Sequence, residues 1–237
     1  MTGTPNRLTI FANPPHPARF SYYEYKFMVP HESLHFVRNV LEEFCGGSDP
    51  FPEGIVDSIY YDTPNERFLD ECQNGDSQKT KFRIRGYGGG TYLQVHQKMK
   101  DLFGVGKYKA RIVTASSPLG MAPNWEDLFP KDPNDVQFQT IAYNAQRMGP
   151  LLPSIRVKYY RFRYRAYDYR ITLDTNIEVF SMANGLPRRI SNATLPWHVL
   201  EIKTMQTRPK LPFIGLIALQ QVSFSKFMLG LQILNED

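Results

Sequence analysis

The stretch Lys79-Thr80-Lys81-Phe82-Arg83-Ile84-Arg85 alternates with a period of two, so that Lys79, Lys81, Arg83 and Arg85 fall on one face and Phe82 and Ile84 on the other. That is a β-strand with an apolar face toward a core and a cationic face away from it. An isolated run of this kind reads as a solvated face or a sheet edge protected by Lys. This one is repeated. Beyond the loop Gly86-Tyr87-Gly88-Gly89-Gly90, Tyr92, Gln94, His96 and Lys98 alternate against Leu93, Val95 and Met99, and Lys107, Lys109 and Arg111 alternate with Tyr108, Ala110 and Ile112. The loop lacks the GxGxxG pattern and follows no βα turn, so it reads as a hairpin connection rather than a phosphate cradle. Like charges directly opposite one another across a sheet repel. Successive strands that offer Lys and Arg with few acids beside them therefore point to an anion as their partner.

Working outward, Ser21 to Val29 is a β-rich run with Glu24 and Lys26 on one face and Tyr23, Tyr25, Phe27 and Val29 on the other, ended by Pro30. Leu34, Val37, Leu41 and Phe44 recur at helical spacing between His31 and Phe44, and Gly46-Gly47 closes that helix. Ile55 to Tyr61 is a strand stopped by Asp62-Thr63-Pro64, and Asn74-Gly75 marks a turn. The rhythm breaks between Ala115 and Pro150, with a short helix expected from Val136 to Arg147. Strands resume at Ile155–Arg161, Tyr169–Asp174 and Trp197–Lys203, and the apolar tail from Leu211 to Leu234 is expected to be helical. The expected fold class is α+β: an antiparallel β-barrel or tunnel of about eight strands with helices packed outside. With the cationic faces turned inward, such a barrel holds one elongated ligand, and only a polyanion neutralises it. Residues 1–18, rich in Pro and Asn, read as a flexible arm, and 19–237 as one domain.

Composition narrows the class further. The chain has 237 residues, 42% hydrophobic and 22% charged, with 16 Gly and 18 Pro dispersed without period, which excludes collagen-like and wholly disordered chains. No run approaches the ~20 apolar residues of a membrane span, and the N-terminus lacks a signal-peptide block, so a cytoplasmic location is expected. Cys45 and Cys72 stand far apart without a CxxC, and His16, His31, His35 and His198 show no ligand spacing, so neither disulfide framework nor zinc site is indicated. The net charge of +5, from 28 Lys and Arg against 23 Asp and Glu, is informative only through its placement.

Seven short motifs in order resemble the VTC (vacuolar transporter chaperone) polyphosphate-polymerase domain of the triphosphate tunnel metalloenzymes: Glu24-Tyr25-Lys26, Ser58-Ile59-Tyr60-Tyr61-Asp62-Thr63-Pro64, Lys81-Phe82-Arg83-Ile84-Arg85, Tyr159-Tyr160-Arg161, Arg170-Ile171-Thr172-Leu173-Asp174, Val199-Leu200-Glu201-Ile202-Lys203 and Phe224-Ser225-Lys226-Phe227. The resemblance implies a basic antiparallel β-tunnel that moves the γ-phosphate of ATP onto a growing polyphosphate chain with Mn²⁺ or Mg²⁺. Phosphoryl transfer is mostly positioning and charge stabilisation, so it needs guanidinium and ammonium groups around the phosphates and a hard cation between them. On that reading Arg83, Arg85, Arg161 and Arg170 are phosphate clamps, because Arg suits bidentate phosphate contact. Lys26, Lys98, Lys203 and Lys226 are point charges, Lys81, Lys109, Tyr159 and Ser225 are cofactor-binding positions, and Glu201 and Glu24 hold the metal with phosphate oxygens and water.

Where relatives resemble Leu-Glu-x-Lys-x-Lys, this chain reads Leu93-Gln94-Val95-His96-Gln97-Lys98. Gln94 offers no carboxylate, and His96 is neutral near pH 7 unless an anion draws a proton onto it. Three functions are therefore carried forward: a metal-dependent phosphotransferase of the polyphosphate-polymerase kind, a non-catalytic polyphosphate or nucleotide sensor, and a triphosphatase. The expected partners are ATP, polyphosphate or inorganic triphosphate. No nucleic acid is expected, although Arg156 to Arg165, interleaved with Tyr and Phe, is the composition of a single-strand surface. A membrane-protein partner receiving the product would not be visible in the sequence.

Overall fold

The computed structural model describes residues 18–20, 22–45, 47–88, 92–101, 104–113, 125, 135–183, 186–207, 211–217, 219–223 and 225–236. The expected arm lies outside them but for its last residue, as do Ser21, Gly46, Gly89, Gly90 and Phe224. In chain order the strands are β1 (Ala18–Phe20), β2 (Tyr23–Pro30), β3 (Gly47–Asp62), β4 (Lys79–Tyr87), β5 (Tyr92–Asp101), β6 (Gly104–Val113), β7 (Leu152–Ala166), β8 (Tyr169–Ala183), β9 (Leu186–Thr194) and β10 (Trp197–Thr204). The helices are α1 (Leu34–Phe44), α2 (Arg67–Gln73), α3 (Val136–Met148), α4 (Pro212–Ile217) and α5 (Lys226–Glu236).

All pairings are antiparallel, and they follow the order β1-β6-β5-β4-β3-β7-β8-β10-β2, with β9 paired to β8 off this path. The two ends of the path, β1 and β2, are neighbours in the chain. From Phe20 to Tyr23 the backbone spans at most about 11 Å, so the sheet has to curl until its edges approach each other. No ladder joins β1 to β2 among the described residues, so the chain connection rather than hydrogen bonds bridges this seam. The curl brings Lys98 on β5 within 3.7 Å of Glu24 on β2, across the interior.

Strand alternation sorts the side chains. On β4, Phe82 and Ile84 are fully buried beneath α2 and α3, in a cluster that also holds Leu93, Val95, Phe68, Phe138 and Ile141. On the other side α1 and α4 cover β2, β10 and β8 through Val37, Leu41, Phe213, Val29, Leu200 and Ile171. Phe44, placed on the apolar face by helical spacing, is instead 44% exposed. α5 packs differently. Its Phe227 stacks on Tyr60 at 5.3 Å, and a Cβ on Gly230 would stand 2.9 Å from Val179 Cγ1 and 3.0 Å from Ile155 Cδ1. Ile155 shares a β7 face with Tyr159 and Arg161, so α5 lies against the inner face of the sheet.

One local reading is corrected and two elements are added. The tail is not one helix: α4 and α5 flank an extended piece in which Met28 N donates to Gln220 O (3.0 Å) and Val222 N to Lys26 O (2.9 Å). That segment covers the free edge of β2, the position where an exposed strand is an aggregation liability. Between Pro64 and Asn74 the short α2 forms because the Asp62 carboxylate accepts from the backbone N–H groups of Thr63, Phe68 and Leu69 at 2.7, 2.9 and 3.0 Å, capping the helix. β9 is the other addition, held by its ladder to β8.

Candidate functional site

The inward faces line one cavity, built from two unlike walls. The first comprises β4, β5 and β6. Their registers set Lys81 opposite Lys98 opposite Lys107, and Arg83 opposite His96 opposite Lys109. All six line the cavity, with Arg85 and Gln94 in the next row. Among the described residues no carboxylate pairs with Lys81, Arg83, Arg85, Lys107 or Lys109. Their hydrogen bonds go to neutral groups. Lys81 Nζ donates to Ser225 Oγ at 2.7 Å, Arg85 donates to Ser58 Oγ at 2.9 Å and Tyr159 Oη at 3.2 Å, and Arg83 donates to Tyr60 Oη at 3.1 Å and His96 Nδ1 at 3.2 Å.

The electrostatic consequence is mutual. Burial and the cations Arg83 and Arg85 push Lys107 down to about 6. Burial lowers Lys81 and Lys98 as well. Burial alone would raise the Tyr60 phenol, but Arg83 and Arg85 bring it down to about 7. Burial, then Arg83 and Lys107, hold the His96 imidazole well below its ordinary value.

The second wall, from β2, β10, β8, β7 and α5, holds its cations in ion pairs with three carboxylates. Glu201 pairs with Lys203 at 2.7 Å, and Glu24 pairs with Lys26 at 2.9 Å and Lys203 at 3.5 Å. Asp174, wholly buried, accepts two hydrogen bonds from Arg161 (2.6 and 2.7 Å) and lies 2.7 Å from Lys226 Nζ. Burial opposes ionisation of Glu201 and Asp174. Lys203 and Lys26 nevertheless hold Glu201 well below the carboxylate range, and Arg161 and Lys226 lower Asp174. Arg170, Tyr159 and Ser225 complete the lining.

Every candidate residue named from the sequence thus faces the same cavity: Lys26, Arg83, Arg85, Lys98, Arg161, Arg170, Lys203, Lys226, Lys81, Lys109, Tyr159, Ser225, Glu201 and Glu24. Lys79 does not line it, and the side chain of Arg111 lies outside the described residues. Tyr22, Tyr60, Tyr87, Lys107 and Thr172 also line the cavity, beyond the candidates that the sequence motifs supply. Lys107 stands on the cationic face that alternation gives its strand, and the same parity reaches Thr172, between Arg170 and Asp174. The basic and aromatic run from Arg156 to Arg165 is spent within the protein: Arg156 forks onto Asp57 (2.6 to 3.2 Å), Arg161 onto Asp174, and Arg165 meets Asp49 at 3.2 Å.

The donor set suits a hard cation. Glu201 and Glu24 belong to adjacent strands, and the buried Thr172 hydroxyl, at the register position opposite Glu201, has no hydrogen-bond partner. Among the described residues no three His, Cys, Asp or Glu side chains cluster to hold an ion alone, so phosphate oxygens and water would complete the shell.

A curled antiparallel sheet around a basic cavity, with three carboxylates on one wall and none lining the other among the described residues, defines a tunnel-fold protein. This chain belongs to the VTC domain family, whose match runs over residues 21–235. No curated protein matches it. Among solved structures it is similar to a candidate adenylate cyclase of Bacillus halodurans (12% identity, TM-score 0.54, covering 87% of this chain and 96% of that one). It is also similar to a protein of Pyrococcus horikoshii OT3 (16%, 0.50, 90% and 98%) and to a Hippeastrum protein described as having a dominant triphosphatase activity (13%, 0.50, 88% and 94%). At these identities the likeness is one of fold. Among the described residues no helix is long and apolar enough to cross a membrane.

Proposed function

We propose that this chain binds the triphosphate of ATP and a polyphosphate chain in its tunnel and transfers the γ-phosphate from one to the other, as a cytoplasmic, metal-dependent phosphotransferase. The observation that carries the reading is the row Lys81, Lys98, Lys107 beside Arg83 and Arg85. Basic side chains are set directly across three strands, and among the described residues no carboxylate pairs with Lys81, Lys107, Arg83 or Arg85, an arrangement that costs stability unless a polyanion fills the space. Arg83, Arg85, Arg161 and Arg170 clamp phosphate oxygens. Lys26, Lys98, Lys203 and Lys226 supply compact charge where negative charge spreads in the transition state, and Lys81, Lys109, Tyr159 and Ser225 fix the chain's position. Glu201 and Glu24, with the Thr172 hydroxyl, would hold Mg²⁺ or Mn²⁺, which when bound neutralises and orients phosphate oxygens. No side-chain nucleophile is required, because the terminal phosphate of the chain is itself the acceptor.

A second reading, with water as the acceptor, is supported by the fold shared with the Hippeastrum protein. A third, a sensor without turnover, is supported by Gln94 and His96, neutral groups that engage each other and Arg83 in the middle of the cationic wall. Incubation with ATP and Mn²⁺, followed by assay of polyphosphate and free phosphate, separates the three. Polyphosphate is the expected product, phosphate alone would indicate hydrolysis, and neither would leave the sensor. Glu201→Gln should abolish the metal-dependent reaction in a folded protein, and unaltered turnover in that variant would remove Glu201 from the site.

A further inference from the structure

Arg83 does not face the cavity as a free clamp. Its Nε and Nη2 stand 3.2 and 3.1 Å from His96 Nδ1, and its Nη1 donates to Tyr60 Oη at 3.1 Å. A guanidinium has only donors, so Nδ1 must be the acceptor. His96 is then neutral, with its proton on Nε2, which donates to the Gln94 carbonyl oxygen at 3.0 Å. Gln94 fixes the tautomer, and the tautomer holds Arg83. A proton on Nδ1 would place N–H against N–H, and the pair as observed could not survive it.

We propose that His96 is a proton-operated latch on Arg83: binding of a phosphate chain and protonation of His96 favour each other, because both require Arg83 to leave the imidazole. This rests on the triphosphate reading of the tunnel and adds to it a regulated clamp. The surroundings set the sign. Arg83 and Arg85 face His96 from β4, Lys107 and Lys109 from β6, and Lys98 from its own strand. Across the cavity the groups are the ion-paired Glu24 and Lys26 of β2, Glu201 and Lys203 of β10, and beyond them Arg161, Arg170, Lys226 and Tyr60. Before a ligand binds, burial and the cations nearest His96, namely Arg83, Lys107, Arg85 and Lys109, oppose a second charge there. A phosphate chain brings several negative charges against the same wall, so the bound state takes up a proton and affinity rises as pH falls.

The test is calorimetric titration of inorganic triphosphate, with chelator present, in buffers of different ionisation enthalpy, comparing the wild type with His96→Gln. Gln can still accept from Arg83 but cannot titrate, and the ligand's own protons cancel in the difference. The wild type is expected to take up about half a proton more than the variant near neutral pH, and its Kd to rise about tenfold more between pH 6 and pH 8. Equal proton uptake and parallel pH profiles would overturn the latch and leave the triphosphate reading standing. Absence of binding in both proteins would overturn the two together. Should the variant not fold, the imidazole ¹⁵N shifts of His96 in the wild type decide the same question: Nε2-protonated when empty and doubly protonated with triphosphate supports the latch, and a ring that stays neutral at saturation refutes it.

Discussion

The two walls of the tunnel use the same residue types to opposite ends. On the β2, β10, β8 and β7 side, Lys203, Lys26, Arg161 and Lys226 each meet one of Glu201, Glu24 and Asp174, so most of that wall's charge is paired before any ligand arrives. On the β4, β5 and β6 side Lys81, Arg83 and Arg85 have hydroxyls and an imidazole, and among the described residues only Lys98 reaches a carboxylate, Glu24 of the other wall at 3.7 Å. The difference teaches that a charge's worth is set by its register partner. A paired buried charge supports the fold, whereas an unpaired one is held against the fold's interest and is released by ligand.

The sharpest way to break this comparison is to remove an acid from the paired wall. Asp174→Asn leaves Arg161 and Lys226 buried without their countercharge, and a loss of about 3–5 kcal/mol is expected in denaturant unfolding. A loss below about 1 kcal/mol would mean that this wall is no more compensated than the other. Next in size is the seat of α5, which carries Lys226. Gly230→Ala forces a methyl group onto Val179 and Ile155 and should cost about 1–3 kcal/mol in the same measurement, with triphosphate affinity falling as Lys226 shifts.

On the bare wall the sign reverses. Lys107, unprotonated above about 6 in the folded protein but protonated up to the ordinary lysine range when unfolded, makes the unfolded state bind more protons between those limits. Stability of the ligand-free protein should therefore rise with pH from about 6 to 8, by a few degrees in melting temperature. Lys107→Met should flatten that slope and raise the melting temperature near pH 6. A variant that is less stable than the wild type there would show Lys107 to be compensated after all.

Much of this was legible in the residues. The alternation in Lys79–Arg85 and its successors gave the inward faces of β4, β5 and β6, because period two survives wherever one face is buried. The same parity in Tyr23–Val29, Ile155–Arg161, Tyr169–Asp174 and Trp197–Lys203 brought Glu24, Lys26, Tyr159, Arg161, Arg170, Glu201 and Lys203 to the cavity, whereas Ser225 and Lys226 arrive with α5. β9 escaped because Leu186-Pro187-Arg188-Arg189-Ile190 carries a proline and no alternation, and its strand character comes from pairing with β8. The break in the tail escaped for a similar reason: residues 219–223 are extended through backbone bonds to β2, a tertiary partner that local composition does not encode. Within the site, which cations are paired was not legible. That Lys203 meets both Glu201 and Glu24 while Lys107 meets neither follows from cross-strand register and curl.

The unlike walls are tested most directly by thermal unfolding with inorganic triphosphate under chelator, at low and high salt, beside single-stranded RNA of equal charge. Triphosphate should raise the melting temperature strongly at low salt and less at high salt, and RNA should do less at either, because Lys81, Arg83 and Lys107 line the cavity and not the outer surface. If RNA stabilises the protein more than triphosphate does, the bare wall is not a phosphate-chain site, and the basic interior has been misread.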